Sequence, residues 1–347
     1  SGTAALHLAC LALNVSPKES GIVPAITFGA TANALRYCGA EVRFADVDLG
    51  TGLSGSKEFQ QAFQAASDVQ PKYLIPVHLN GQCADPEAIW NTAQNHGLRV
   101  IEDACHALGA DYATSNGERH KIGACKHSDM SIFSFHPVKA VTTGEGGAVT
   151  TRDPELYRRL RLYRNHGLER DKTYFMASDI ASPLANDVDA AWYYELQALG
   201  FNYRLSDIHA ALGYSQLKKL SRFVEQRRDL ARSYDRFLGS FAPLIRPVTK
   251  SELASHGYHL YAVLIDFEEL KLSKTALVQE LAAQGIRTQV HYLPVPAQPY
   301  YLERYGEANC KNAWHYYHTV LSLPLFVGMD NTDVEYIVER LTAALGL

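Results

Sequence analysis

Lys139 ends the run Ser134-Phe135-His136-Pro137-Val138-Lys139, just after an apolar segment and just before Thr142-Thr143-Gly144-Glu145-Gly146-Gly147. A lysine in a turn past a strand, partly withdrawn from water and near another cation, has a lowered pKa. Its free amine can then condense with a carbonyl. Three further features offer matching chemistry. Val100-Ile101-Glu102-Asp103-Ala104-Cys105-His106 ends a buried apolar run in an acid. In open α/β sheets ligands bind at that edge, where a carboxylate can pair with a protonated pyridine nitrogen and keep the ring an electron sink. His106 is within reach of the same ligand. Ser1-Gly2-Thr3-Ala4-Ala5-Leu6 opens a helix with small, hydroxyl-bearing residues, leaving N–H groups and the positive helix end to face a phosphate. Gly200-Phe201-Asn202-Tyr203-Arg204-Leu205-Ser206 stands directly before a long helix.

Each feature alone has a plainer reading: a surface lysine, a glycine turn, capped helix starts. Asp103, Cys105 and His106 could also be metal ligands, but such a set needs partners elsewhere and none stands out, so no metal is expected.

The elements that must position these residues alternate. Apolar strands are expected over 22–26, 41–47, 73–77, 98–101 and 131–135. Helices are expected over 4–13, 30–37, after Asp85-Pro86 and after Asp153-Pro154, where Asp caps and Pro opens the first turn. This order argues for a mostly parallel sheet covered on both faces. Residues 171–190 lack periodicity and read as a long loop. A helical region, with possible breaks, runs from Ser206 to about Leu238 and ends at Gly239. Strand 258–265, helix 274–283, strand 287–291 and helix 333–345 follow. The reading is α/β: a large part over 1–225 and a smaller α+β part over 226–347.

Composition narrows the class. A net charge of −4 gives no polyanion-binding surface, and no apolar run approaches the ~20 residues of a membrane span. The six cysteines are scattered without a CxxC pair, as expected of reduced thiols in the cytoplasm.

Taken in order, SGTAAL, PAITFGATANAL, IEDACHALGA, SFHPVKAVTTGEGGAV, FNYRLSDIHAALGYSQL and VHYLPV resemble the DegT/DnrJ/EryC1/StrS family of sugar-nucleotide aminotransferases over essentially the whole chain. The resemblance implies the type I pyridoxal-phosphate (PLP) fold of aspartate aminotransferase. It implies that Lys139 carries the cofactor covalently and moves the proton, and that Asp103 pairs with the pyridine nitrogen. His106 then lies near the ring 3-hydroxyl, and Phe28 stacks on the ring. Thr3, the backbone at Ala4 and Ser134 hold the phosphate. Asn202 reaches the phosphate of a neighbouring subunit, which makes a homodimer with shared sites. His291 and Tyr292 line the substrate cleft.

SFHPVK-x-x-TTGEGG, RNHG and WYYELQALGFNYRLSDI resemble the pseudaminic acid branch of the family. That branch implies amino transfer from L-glutamate to C4 of a UDP-linked 4-keto-6-deoxy-N-acetylhexosamine. A different nucleotide-linked keto-sugar, such as a dTDP-linked 3- or 4-keto sugar, and a PLP-binding regulator without turnover stay open. A nucleotide-binding dehydrogenase is disfavoured because no GxGxxG follows the first strand. Two departures bear on this. Dehydratases in the family replace the lysine with histidine, so Lys139 favours amino transfer. The phosphate motif starts at residue 1, whereas family chains carry a few dozen residues before it, so a missing natural N-terminus is expected.

Overall fold

The computed structural model describes residues 1–65, 69–176, 192–251 and 254–347. The elements, in chain order, are α1 (Gly2–Ala12), β1 (Ser20–Pro24), α2 (Ala30–Tyr37), β2 (Glu41–Ala45), α3 (Ser56–Gln64), β3 (Pro71–Leu74), α4 (Pro86–Asn95) and β4 (Arg99–Asp103). Next come β5 (Asp111–Ala113), β6 (Arg119–Lys121), β7 (Met130–Ser134), β8 (Gly147–Thr150), α5 (Pro154–Arg164), β9 (Leu168–Glu169) and β10 (Glu195–Leu196). The remainder is α6 (Asp207–Leu217), α7 (Leu220–Leu238), β11 (Ile245–Pro247), β12 (Ala254–Ser255), β13 (Tyr261–Ile265), α8 (Lys274–Ala283), α9 (Pro299–Tyr305), α10 (Lys311–Thr319), β14 (Val320–Leu323) and α11 (Asn331–Ala344).

The central sheet runs β2-β1-β3-β4-β7-β8, parallel throughout except for β8, which is antiparallel to β7. Its strands read as continuous apolar runs because both faces are covered. One face packs on α1, α2 and α5 through Leu6, Ala9, Leu35, Ile101, Ile132 and Leu160. The other packs on α3 and α4 through Ile22, Leu74, Val100, Phe59 and Ile89. Each fully buried branched side chain contributes about 1.5–3 kcal/mol. Caps follow the sequence: Asp85 Oδ1 accepts from Ala88 N at 3.2 Å and Asp153 Oδ1 from Glu155 N at 2.8 Å.

A second sheet, β11-β13-β14, is antiparallel and packs with α7, α8 and α11 around Tyr234, Tyr261, Leu281 and Leu341. Helix α7 runs unbroken through residues 225 and 226, and β12 pairs with β5 of the first half.

The helical region after Ser206 has the break allowed for, between α6 and α7 at Lys218 and Lys219, and it ends as expected at Leu238 with Gly239 as its cap, at φ −57, before a 3-10 turn. Other expectations are corrected. The strand expected over 258–265 begins only at Tyr261, because Tyr258 takes a left-handed φ of 46. The strand expected over 287–291 does not form. Gln289 and Ser322 exchange one pair of backbone hydrogen bonds, at 3.1 and 2.8 Å, and the chain then turns away. Of the expected loop 171–190, the segment 177–190 lies outside the described residues, and Lys172–Tyr174 forms a 3-10 turn. Helices α3, α9 and α10 and the β5–β6 hairpin were not anticipated.

Helix α9 is tied to the edge of the main sheet by one carboxylate. Glu41 receives Arg304 through both oxygens at 2.6 and 3.1 Å, the Tyr305 hydroxyl at 2.6 Å and Arg36 at 3.0 Å. The Arg304 hydrogen bonds, with Tyr305 and Arg36 helping, lower the Glu41 pKa from 4.5 to about 2. A folded-state pKa below the unfolded one gives stability that is present above 4.5 and lost as pH falls toward 2. Glu41→Gln is therefore expected to lose about 1 kcal/mol near neutral pH, discounted for the half-exposed site. In urea titrations against the parent chain, that difference should vanish at the acid end of the window.

Candidate active site

The parallel order of β1, β3, β4 and β7 brings their carboxyl ends to one edge of the sheet. Asp103 is the last residue of β4 and pairs in register with Ile132 of β7. Ser134 closes β7, and Lys139 follows in the turn whose backbone is held by the Lys139 N to His136 O hydrogen bond at 2.9 Å. Past β1, the chain lays Thr27 and Phe28 along the same edge before α2 begins. The amino end of α1 points at it from behind β7. A cavity of about 390 Å³ results, lined by Thr3, Phe28, Asp103, His106, Ser134, Lys139, His291 and Tyr292 among others.

The polar groups are held from outside the cavity. Asp103 is buried. Its Oδ2 accepts from the Thr31 hydroxyl at 2.7 Å and its Oδ1 from Cys105 N at 3.1 Å. Thr31 is backed in turn by Thr27, at 2.7 Å. Each Asp103 oxygen keeps a lone pair for a ligand. Lys139 is half-buried, and its ammonium makes no hydrogen bond or ion pair among the described residues. Burial pushes its pKa down, against the opposing pull of Cys105 and Asp103.

His106 is buried. Its Nε2 stands 3.3 Å from the Tyr292 hydroxyl, and its Nδ1 has no partner. Burial above all, then the Lys139 cation, drives its pKa well below the usual histidine value, so the ring is neutral. His291, whose Nδ1 lies 2.9 Å from the Ser322 hydroxyl, is lowered to about 4 by burial and the same cation.

At the head of α1 a close approach requires glycine: a Cβ on Gly2 would fall 2.9 Å from Ser134 Cβ and 3.3 Å from its Oγ. The first-turn N–H groups of Gly2 and Thr3 have no carbonyl within the helix to receive them, and the Ser134 hydroxyl stands beside them.

The sequence signature of the DegT/DnrJ/EryC1/StrS aminotransferase family matches residues 1–342. The chain belongs to this family. A UDP-4-amino-4,6-dideoxy-N-acetyl-beta-L-altrosamine transaminase of Campylobacter jejuni is 34% identical over 345 residues, covering 99% of this chain and 84% of the relative. Among solved structures, Helicobacter pylori PseC, an aminotransferase involved in the biosynthesis of pseudoaminic acid, superposes with a TM-score of 0.85 at 28% identity. The match covers 100% of this chain and 85% of that one. The PLP-form of a putative sugar aminotransferase, Spr1654 from Streptococcus pneumoniae, superposes with a TM-score of 0.83 at 26% identity, covering 100% and 86%. The fold is that of the type I PLP-dependent aminotransferases.

The cavity suits the cofactor such a family implies. An amine free of partners, a braced carboxylate, an unpaired buried imidazole nitrogen and a phosphate-sized approach at Gly2 and Ser134 all face one space. Of the residues expected from sequence, Thr3, Phe28, Asp103, His106, Ser134, Lys139, His291 and Tyr292 meet there. Ala4 borders a neighbouring hollow, and its N–H already donates to Ser1 Oγ at 3.2 Å. Asn202 is exposed and stands away from this cavity in its own chain. Phe28 is 63% exposed at the cavity mouth, its ring centroid 6.2 Å from that of Tyr292. Thr27 and Thr31 were not anticipated, nor was the backbone N–H of Cys105 as a brace for Asp103. Thr27 and Thr31 lie one helical turn apart just before and within α2, a spacing that could have flagged them.

No helix among the described residues is long and apolar enough to cross a membrane, and no cluster of metal-ligating residues occurs among them.

Proposed function

We propose that this chain binds PLP and transfers the amino group of L-glutamate to C4 of a UDP-linked 4-keto-6-deoxy-N-acetylhexosamine. The observation that carries the reading is the partner-free Lys139 ammonium facing the braced carboxylate of Asp103 across one cavity. PLP, when bound, supplies the electron sink and carries the amino group between the two substrates.

The chain's own residues do the rest. Asp103, fixed by Thr31 and Cys105 N–H, holds a negative charge against the pyridine nitrogen and keeps its proton there. Lys139 holds the cofactor covalently at rest. Released, it takes the proton from the glutamate Cα and gives it back on the other side of the transfer, a task that suits an amine whose pKa burial has lowered. Thr3, the first-turn N–H groups of Gly2 and Thr3, and Ser134 bind the phosphate, while the Ala4 N–H, expected there from sequence, is taken by Ser1 Oγ. His106 stays neutral beside the ring hydroxyl. Phe28 covers the ring, and His291 and Tyr292 close the cleft against water.

A second hollow of about 930 Å³ shares Thr3, Thr27, Phe28, Ala30 and Tyr292 with the first, and so supports a substrate as long as a nucleotide sugar. The division into a cofactor-binding part, 1–225, and a smaller part, 226–347, is kept as part of this reading, supported by the second sheet and its own core. Six free thiols support a cytoplasmic setting.

A homodimer with shared sites belongs to the same proposal. Helix α6 has only Gly213 buried, while Ile208 is 83% and Tyr214 66% exposed. A helix apolar on its outer face calls for a partner, and a two-fold axis beside it would carry the adjoining Asn202 toward the other cavity. Ile208→Glu is expected to shift the dimer to monomer, read by light scattering, and to lower activity in step. A dimer of unchanged affinity would reject this face.

The activity itself is tested with purified protein, PLP, glutamate and a panel of UDP- and dTDP-linked 4-keto-6-deoxy sugars. 2-Oxoglutarate should form one-for-one with an amino sugar carried on UDP. Product with dTDP sugars alone would overturn the substrate, and no product with any would overturn the enzymatic reading.

A further inference from the structure

His106 touches two aromatic neighbours. The Tyr292 hydroxyl meets its edge, and the His259 ring lies across it, centroids 4.3 Å apart at 52°. His259 does not line the cavity; it is buried behind His106.

The backbone of His259 is held from two sides. Arg227 of α7 is buried, with no carboxylate in ion-pair range among the described residues. Its Nη1 donates to the carbonyls of Tyr258 at 3.1 Å, His259 at 3.1 Å and Leu325 at 2.9 Å. From the opposite side, Leu260 N donates to Asn80 O at 3.1 Å and Gly257 N to Gly81 O at 2.8 Å. Gly81 has a φ of +103, and a Cβ there would sit 2.8 Å from Tyr258 N, 2.9 Å from His106 O and 2.9 Å from His259 N. Three chain segments distant in sequence therefore meet backbone to backbone at this point. A buried cation whose Nη1 is shared by three main-chain carbonyls fixes where the His259 carbonyl lies.

We propose that His259 is a positioning residue for the transamination, its ring forming the wall that holds the His106 imidazole in register with the bound cofactor. The proposal rests on reading His106 as a cofactor contact. Without that wall His106 keeps only the Tyr292 hydroxyl at one edge, and its ring is free to leave the cavity by rotating into the space vacated. A ring is needed there more than a charge. Lys139, Arg227 and His291 surround the pair, and a protonated His259 would stand among three cationic or potentially cationic groups. Burial together with those neighbours holds His259, like His106, in the neutral form.

The test measures PLP affinity and the visible absorption band of bound PLP, together with the melting temperature of each apo chain. His259→Ala should weaken PLP binding by about fivefold, the size of one lost hydrogen bond, and shift the band. His259→Phe, which restores a ring without its nitrogens, should return both toward the parent values. In a His106→Ala background, His259→Ala should add nothing, because it acts through His106. If His259→Ala does not fold, His259→Leu against His259→Phe carries the same comparison: Leu should weaken binding and Phe should not.

Unchanged affinity and band in His259→Ala, or equal behaviour of Leu and Phe, overturns the proposal. So does an equal loss whether or not His106 is present. His106→Ala without effect on either readout brings down the underlying reading of His106. An effect of His106→Ala with none from His259→Ala brings down this proposal alone.

Discussion

Replacing Lys139 with alanine is expected to abolish the covalent attachment of PLP and to lower transaminase turnover by about 10⁴-fold or more, since one residue serves as both anchor and proton carrier. The fold should survive. Lys139 lies in a turn, half-buried, its ammonium bonded to nothing among the described residues, and its backbone N–H to His136 O bond does not depend on the side chain. Non-covalent binding should survive as well, because Asp103, Thr3 and Ser134 are untouched. Borohydride reduction followed by mass spectrometry of the peptide around residue 139 reads the attachment, and glutamate-dependent release of 2-oxoglutarate reads the chemistry. Full activity in the variant would remove Lys139 from the mechanism altogether.

The second large effect is expected from Asp103→Asn. The carboxylate is buried, so its charge acts through a poor dielectric, and losing it should slow the single-turnover reaction with glutamate by about 10²–10³-fold. Both neighbours donate to it, Thr31 through its hydroxyl and Cys105 through its N–H. An amide has one oxygen for these two donors, so one of them must face an NH₂ group. Thr31→Val separates the contributions. It removes one donor while leaving the charge, and should cost far less than Asp103→Asn. Equal losses in the two variants would mean that orientation of the acid, not its charge, matters.

The placement of residues at the ends of strands was legible. Asp103 and Lys139 each follow an apolar run of strand length, and a parallel sheet carries such ends to one edge whatever the loops do. Thr3 was legible for a similar reason, since a helix start after small residues leaves its N–H groups free. What escaped reading depends on contacts between distant segments. Thr31 looks like any helix residue until β4 is laid beside β1 through β3. His259 sits in a stretch expected to be strand, and only the left-handed turn at Tyr258 delivers it behind His106. The expected strand 287–291 failed because its pairing potential is spent on a single bridge to Ser322, after which the chain carries His291 and Tyr292 into the cavity. Asn202 is exposed and away from its own cavity, where a residue reserved for another subunit would lie.

The hydrogen bond between Tyr292 and His106 spans 186 residues. Contacts of that separation close late, after local structure has formed. Every strand of the central sheet is complete by Thr150, so a chain still being synthesised can assemble the sheet long before Tyr292 has left the ribosome. Such a chain has Lys139 and Asp103 in place but lacks one wall of the chamber. On the proposed function, firm retention of PLP is expected only after that wall has formed. In refolding experiments the far-ultraviolet signal should return first and the visible colour afterwards, and the delay between them would time the arrival of the final wall.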